Sequence, residues 1–220
     1  MSPSDGSEIT EAARPSEPTN IVATRWRHWA TGLFFALCWF FFAVANLQTF
    51  ILSGKPSPLV FGIAETLIAT FFILRVPPRR VSQKLSEWIV AGIGTFLPLL
   101  LRATIDETNW PAEALLLFGS LLQVAAIVSI NRSFALVPAL RELKTDGAYR
   151  FVRHPVYASY VVSLAGFLWA NYSNENLLVI VISLAFMIWR IRLEEALLEQ
   201  TPEYRQYRDA VRWRLLPGIW

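Results

Sequence analysis

The chain has 220 residues, 54% of them hydrophobic and only 17% charged, with fifteen Phe, nine Trp and a mean hydropathy of +0.40. Soluble domains run at roughly 45–50% apolar and about 25% charged, so this composition excludes disordered, collagenous, coiled-coil and disulfide-scaffold classes and points to a membrane protein. The net charge of +3 is small, and the basic residues flank apolar runs, a pattern of membrane topology rather than of a nucleic-acid surface.

Residues 1–24 are rich in Ser, Pro and Glu and have little to bury, which predicts a disordered tail. A secretory leader is not expected, because the first apolar run begins only after Arg25, Trp26, Arg27 and His28. That run, 29–52, is broken only by Asn46 and Gln48 and reaches about 36 Å as a helix, a full span. It contains Cys38, the single cysteine, which reads as a small buried apolar residue. Runs 58–74, 85–101 and 112–130 each approach the ~20 residues that a spanning helix needs. The second carries Glu65, an intramembrane carboxylate open to a pairing or a functional role. Within the third, Gly92 and Gly94 read as helix-packing positions rather than a phosphate loop. Runs 156–170 and 177–189 are shorter and joined by a polar turn, so they predict a helical hairpin or two short spans.

The expected fold is therefore all-α and integral to the membrane. A four-helix scaffold over 25–130 precedes a C-terminal region, 131–220, with the hairpin and cytoplasmic amphipathic helices. With the N-terminus inside, every Lys and Arg except Lys55 and Arg102 falls on the cytoplasmic side, which predicts both termini in the cytoplasm. The longest non-apolar stretches, 131–154 and 190–220, lie on that side, where chemistry is expected.

Residues 146–157 end one of these stretches. Pro155 suits a first helical position, which places His154 at the cap, and the free N–H groups of that helix start, beside Arg153, make an anion pocket. The competing reading is an interfacial anchor. His154 has no second His or Cys at ligand spacing, so no metal is expected. Arg190 and Glu194, four apart, share a helix face, while Glu195 turns about 100° away. They either pair with each other or hold two ligand groups of opposite charge. Thr201-Pro202-Glu203 then opens an amphipathic helix with Tyr204, Tyr207, Val211 and Leu215 on one stripe, and Arg205, Arg208 and Arg212 largely off it. Such a helix lies on the inner leaflet or lids the pocket.

These residues form a pattern: Gly147-x-Tyr149-x4-His154-Pro155-x-Tyr157, then Arg190-x3-Glu194-Glu195-x2-Leu198, then Tyr204-x2-Tyr207-x3-Val211. It resembles the isoprenylcysteine carboxyl methyltransferase family, within the wider group of integral-membrane methyltransferases that includes phospholipid methyltransferases. The resemblance covers residues 131–220; Thr201-Pro202 stands where the family has Phe-Gly. It implies S-adenosyl-L-methionine as cofactor and a lipophilic methyl acceptor entering from the bilayer, with membrane lipids as surroundings and neither nucleic acid nor metal as partner. Carried over by position, Leu143, Lys144, Tyr149, Arg153, His154, Pro155, Val156, Tyr157 and Glu194 bind the cofactor. Arg190 orients the acceptor, and Arg190 and Glu194 are the catalytic candidates.

Carboxyl O-methylation of an isoprenylcysteine-like acceptor is the leading expectation, ahead of phospholipid N-methylation and thiol S-methylation. A carboxylate is already ionised and needs no general base, whereas an amine or thiol would call on His154 or Glu194. Membrane sterol reductases share an Arg-His-Pro-x-Tyr region and bind NADPH, and a non-catalytic membrane protein is the remaining class. The expected location is the plasma (inner) membrane for a bacterial host.

Overall fold

The computed structural model describes residues 21–75, 80–82, 84–103, 108–134, 136–218 and 220. Among them are seven α-helices: α1 (Ile21–Ser53), α2 (Pro56–Leu74), α3 (Leu85–Phe96), α4 (Trp110–Ile130), α5 (Pro155–Ala170), α6 (Asn174–Leu198) and α7 (Pro202–Ala210). Two short strands, β1 (Arg80–Val81) and β2 (Ala139–Leu140), pair antiparallel at one end of the bundle. The fold is all-α and integral to the membrane, as composition predicted. The expected tail over 1–24 lies outside the described residues up to residue 20; residues 21–24 already belong to α1.

Four described helices are long and apolar enough to cross a bilayer, but they are not the four the sequence singled out. They are Trp29–Ser53, Pro56–Leu74, Trp110–Ser133 and Asn174–Leu198. The 85–101 run yields only the 12 residues of α3, about 18 Å of helix, before Pro98 turns the chain into the 3-10 segment Leu97–Leu100. Conversely, α6 far exceeds its apolar run. Ser173 caps its start by accepting from the Asn176 N–H at 3.0 Å, and beyond Trp189 buried, paired side chains carry it for two more turns. Of the expected hairpin, α5 is short and α6 spans.

The outer faces remain apolar: Phe34, Phe41, Ile51 and Leu52 are between 61% and 88% exposed, a surface that suits lipid. Inside, Phe72 of α2 stacks on Phe35 and Trp39 of α1 and meets Phe134 edge-on, with centroids 5.1–5.3 Å apart. Cys38 packs against this cluster but is only partly buried, short of the buried position expected of it. α1 packs on α2, α2 on α4, α4 on α5, and α3 on α6. The α4–α5 seam is set by glycines: a Cβ on Gly119 would stand 2.3 Å from Ser163 Oγ, and one on Gly166 would stand 2.9 Å from the Leu116 backbone nitrogen.

α5 touches α6 much less than it touches α4, so the helices part around a cavity of about 1180 Å³. Its wall takes residues from α1, α2, α4 and α5 on one side and from α3 and α6 on the other. At the far end Glu113 of α4 accepts from the Ser57 N–H at 2.8 Å and its hydroxyl at 3.0 Å, satisfying the start of α2. Asn176 there binds both backbone groups of Arg102. The opposite end holds β1, β2, the 141–154 loop and α7.

Candidate functional site

The site grows from the turn that precedes α5. Gly147 has φ +60, and any Cβ there would meet Ser129 Oγ at 2.3 Å, so only glycine lets the 3-10 turn Gly147–Arg150 sit against α4. The Ala148 N–H donates to the same Ser129 hydroxyl at 3.0 Å. This turn buries Tyr149 on the cavity wall, where burial above all raises its phenol well beyond the ordinary value of 10. His154 is the cap of α5 and Pro155 its first residue, as the sequence indicated.

Of the nine cofactor candidates, Leu143, Lys144, Tyr149, Arg153, His154, Val156, Tyr157 and Glu194 line the cavity, together with Arg190. Pro155 does not: it is buried at the helix start, and its part is to fix the direction of α5. Leu143 packs on the Tyr149, Tyr204 and Tyr207 cluster, and Lys144 Nζ pairs with Glu142 at 2.9 Å.

Arg190 and Glu194 do pair, but as part of a wider arrangement. Glu194 Oε1 accepts from Tyr157 O–H at 2.5 Å and from Arg190 Nε at 3.2 Å. Arg190 Nη1 donates to Thr95 Oγ1 of α3 at 3.1 Å, and its guanidinium lies 5.4 Å from the centre of the Tyr157 ring. Both of these bonds thus fall on one carboxylate oxygen. Glu194 Oε2 accepts no hydrogen bond from a described residue and stands 4.0 Å from His154 Nδ1. His154 Nε2 lies 3.1 Å from Glu195 Oε1, so this nitrogen carries the proton that the carboxylate accepts.

Glu195 was absent from the sequence-derived site, yet it organises the whole end. Besides His154 it accepts from Arg153 Nε at 2.9 Å, Tyr204 O–H at 3.2 Å and Arg214 Nε at 2.7 Å. Arg153 also donates through Nη1 to the carbonyls of Val211 and Arg212, so much of its donor capacity ties down the C-terminal segment. The Arg153 and His154 N–H groups bind the Trp213 and Arg214 carbonyls at 2.8 and 2.9 Å. Tyr207 O–H donates to the Tyr149 carbonyl at 2.7 Å, and Leu215 is buried on Tyr157, Met187 and Ile191.

α7 and the segment after it therefore cover the site end, with Tyr204 and Tyr207 inward as the stripe required, while Leu215 is buried from the non-helical segment that follows. The helix ends at Ala210, before Val211, and the Thr201 hydroxyl donates back to the Leu198 carbonyl instead of capping α7. Arg141 was missed as well: it lies on the cavity wall, where burial and then Arg75 nearby hold its pKa down to about 10, leaving it charged at neutral pH.

Residues 108–205 match the family model described as phospholipid methyltransferase, a stretch that takes in α4, α5, α6 and the start of α7. That family stands in the same group of integral-membrane methyltransferases as the isoprenylcysteine carboxyl methyltransferases, whose motifs the sequence resembles. Among curated proteins, no relative matches the chain. The match and the apolar helices together support an integral-membrane methyltransferase.

Proposed function

We propose that the protein is an S-adenosyl-L-methionine-dependent methyltransferase of a lipophilic acceptor, with its site end facing the cytoplasm. The observation that carries this reading is Glu194. Tyr157 and Arg190 fix one of its oxygens, and the other is left, beside His154, on the wall of a cavity large enough for a cofactor and a lipid chain together.

The residues present suit the cofactor. The aromatic rings of Tyr149 and Tyr157 suit its sulfonium cation, the start of α5 suits its carboxylate, and His154 Nδ1, left as an acceptor while Nε2 donates to Glu195, suits its ammonium. Glu194 Oε2 suits an ammonium or hydroxyl, and the 143–144 backbone offers further polar partners. Bound there, the cofactor would supply an electrophilic methyl group. The protein's own part is to align the acceptor with that group and to exclude water. Arg190, buried and on the cavity wall, holds an acceptor carboxylate, which favours carboxyl O-methylation of an isoprenylcysteine-like substrate. The phospholipid methyltransferase match favours a second reading, N-methylation of a phospholipid amine, with Glu194 Oε2 taking the proton.

Labelled methyl transfer into a farnesylcysteine derivative and into phosphatidylethanolamine separates the two. A methyl ester releases its label as volatile methanol in alkali, and an N-methyl group does not. Alkali-labile label supports O-methylation, alkali-stable label in phospholipid supports N-methylation, and no transfer to either refutes the lipid-acceptor reading.

A further inference from the structure

We infer that the cavity contains a second polar subsite, deeper in the membrane, that takes a hydroxyl or amide group on the chain of the lipid acceptor. The inference rests on the methyltransferase reading only in calling this ligand an acceptor. Glu65 of α2 is 6% exposed and lines the cavity. Gln123 of α4, fully buried, donates to Glu65 Oε1 at 3.3 Å and so fixes the carboxyl from behind. The second Glu65 oxygen accepts nothing from a described residue.

Tyr160 of α5, also on the wall of this cavity and near enough to Glu65 for the two to interact electrostatically, makes no hydrogen bond to a described residue. An acceptor and a donor thus share one stretch of cavity inside an apolar bundle. Polar groups there are disfavoured unless something pairs with them. A bare prenyl or acyl chain passing this point would leave both unsatisfied, whereas a hydroxyl or secondary amide matches both kinds of group.

The spacing defines the ligand further. Tyr157 binds Glu194 at the site end, and at 1.5 Å per residue Tyr160 lies about 4.5 Å farther along α5. The polar group therefore sits about one helical turn of α5 beyond the Tyr157–Glu194 contact.

The test is binding, without turnover. Bromine-labelled alkane, alkanol and N-alkylacetamide probes of one chain length are titrated into the detergent-solubilised protein, and quenching of Trp39, a buried cavity residue, is read as the part lost in Trp39→Phe. The alkanol and amide should bind about fivefold more tightly than the alkane, the gain expected of one or two neutral hydrogen bonds. Glu65→Leu should bring the three probes within twofold of one another. If Glu65→Leu does not fold, Tyr160→Phe is read in its place, with the same expectation. Equal binding of all probes by the unsubstituted protein, or a preference retained in the variants, overturns the subsite. A parallel titration with S-adenosyl-L-methionine distinguishes failure of the subsite from failure of the methyltransferase reading.

Discussion

Replacing Glu195 with Gln should undock the C-terminal segment while leaving the helical bundle intact. The carboxylate faces two guanidiniums, and the Arg153 and Glu195 side chains are each only 5% exposed, so the pair is buried. Arg214 is 32% exposed on its side chain and is partly screened, so it adds a smaller share. Removing one partner of a buried pair costs about 3–5 kcal/mol, and an amide presents a donor where Arg214 needs an acceptor. Even the lower figure is about a hundredfold in the equilibrium between docked and undocked segment. Hydrogen exchange at the Arg153 and His154 amides, which bind the Trp213 and Arg214 carbonyls, reads that opening directly and should accelerate by about that factor. Exchange and protease resistance of the segment unchanged in Glu195→Gln would refute the argument that this carboxylate holds it.

Gly119→Ala should lower the thermal stability of the bundle by roughly 1–3 kcal/mol, because the new Cβ meets Ser163 Oγ at 2.3 Å and its backbone nitrogen at 2.9 Å. Gly92→Ala, with nothing within 4 Å, should be neutral or stabilising, and a matched pair of unfolding curves checks both. Glu113→Ala should cost about 1–3 kcal/mol by leaving the buried Ser57 without its partner, measured the same way. Tyr204 and Tyr207 both have phenol pKa values raised above 10, chiefly by burial, with Glu195 adding to the shift at Tyr204. The folded state therefore holds their protons more tightly than the unfolded state does, so their contribution is complete below about pH 10 and is lost as pH rises above it. Tyrosinate absorbance of these two should appear only together with release of the segment, and early titration with the segment still docked would contradict this.

Much of the fold was legible because hydrophobic run length reports helix existence well. It was less informative about helix extent: Pro98 cuts the third run to α3, while α6 continues past Trp189 because Arg190, Glu194 and Glu195 find partners that no run of apolar residues announces. The Arg190–Glu194 pairing was legible from i,i+4 spacing, and the start of α5 from Pro155. Glu195 was not, since its role depends on the chain returning through Arg214, and local helix geometry only showed it pointing away from Glu194. The Glu65–Gln123 contact spans 58 positions and likewise carries no local signal.

The cavity end around Tyr157, Arg190 and Glu194 is the proposed S-adenosyl-L-methionine site. Calorimetric titration of the detergent-solubilised protein tests it most directly. Saturable binding is expected, falling by an order of magnitude or more in Glu194→Ala and in His154→Ala, given about 1.5–3 kcal/mol for a hydrogen bond to a charged group. Absence of saturable binding by the unsubstituted protein, or affinity unchanged in both variants, would contradict it.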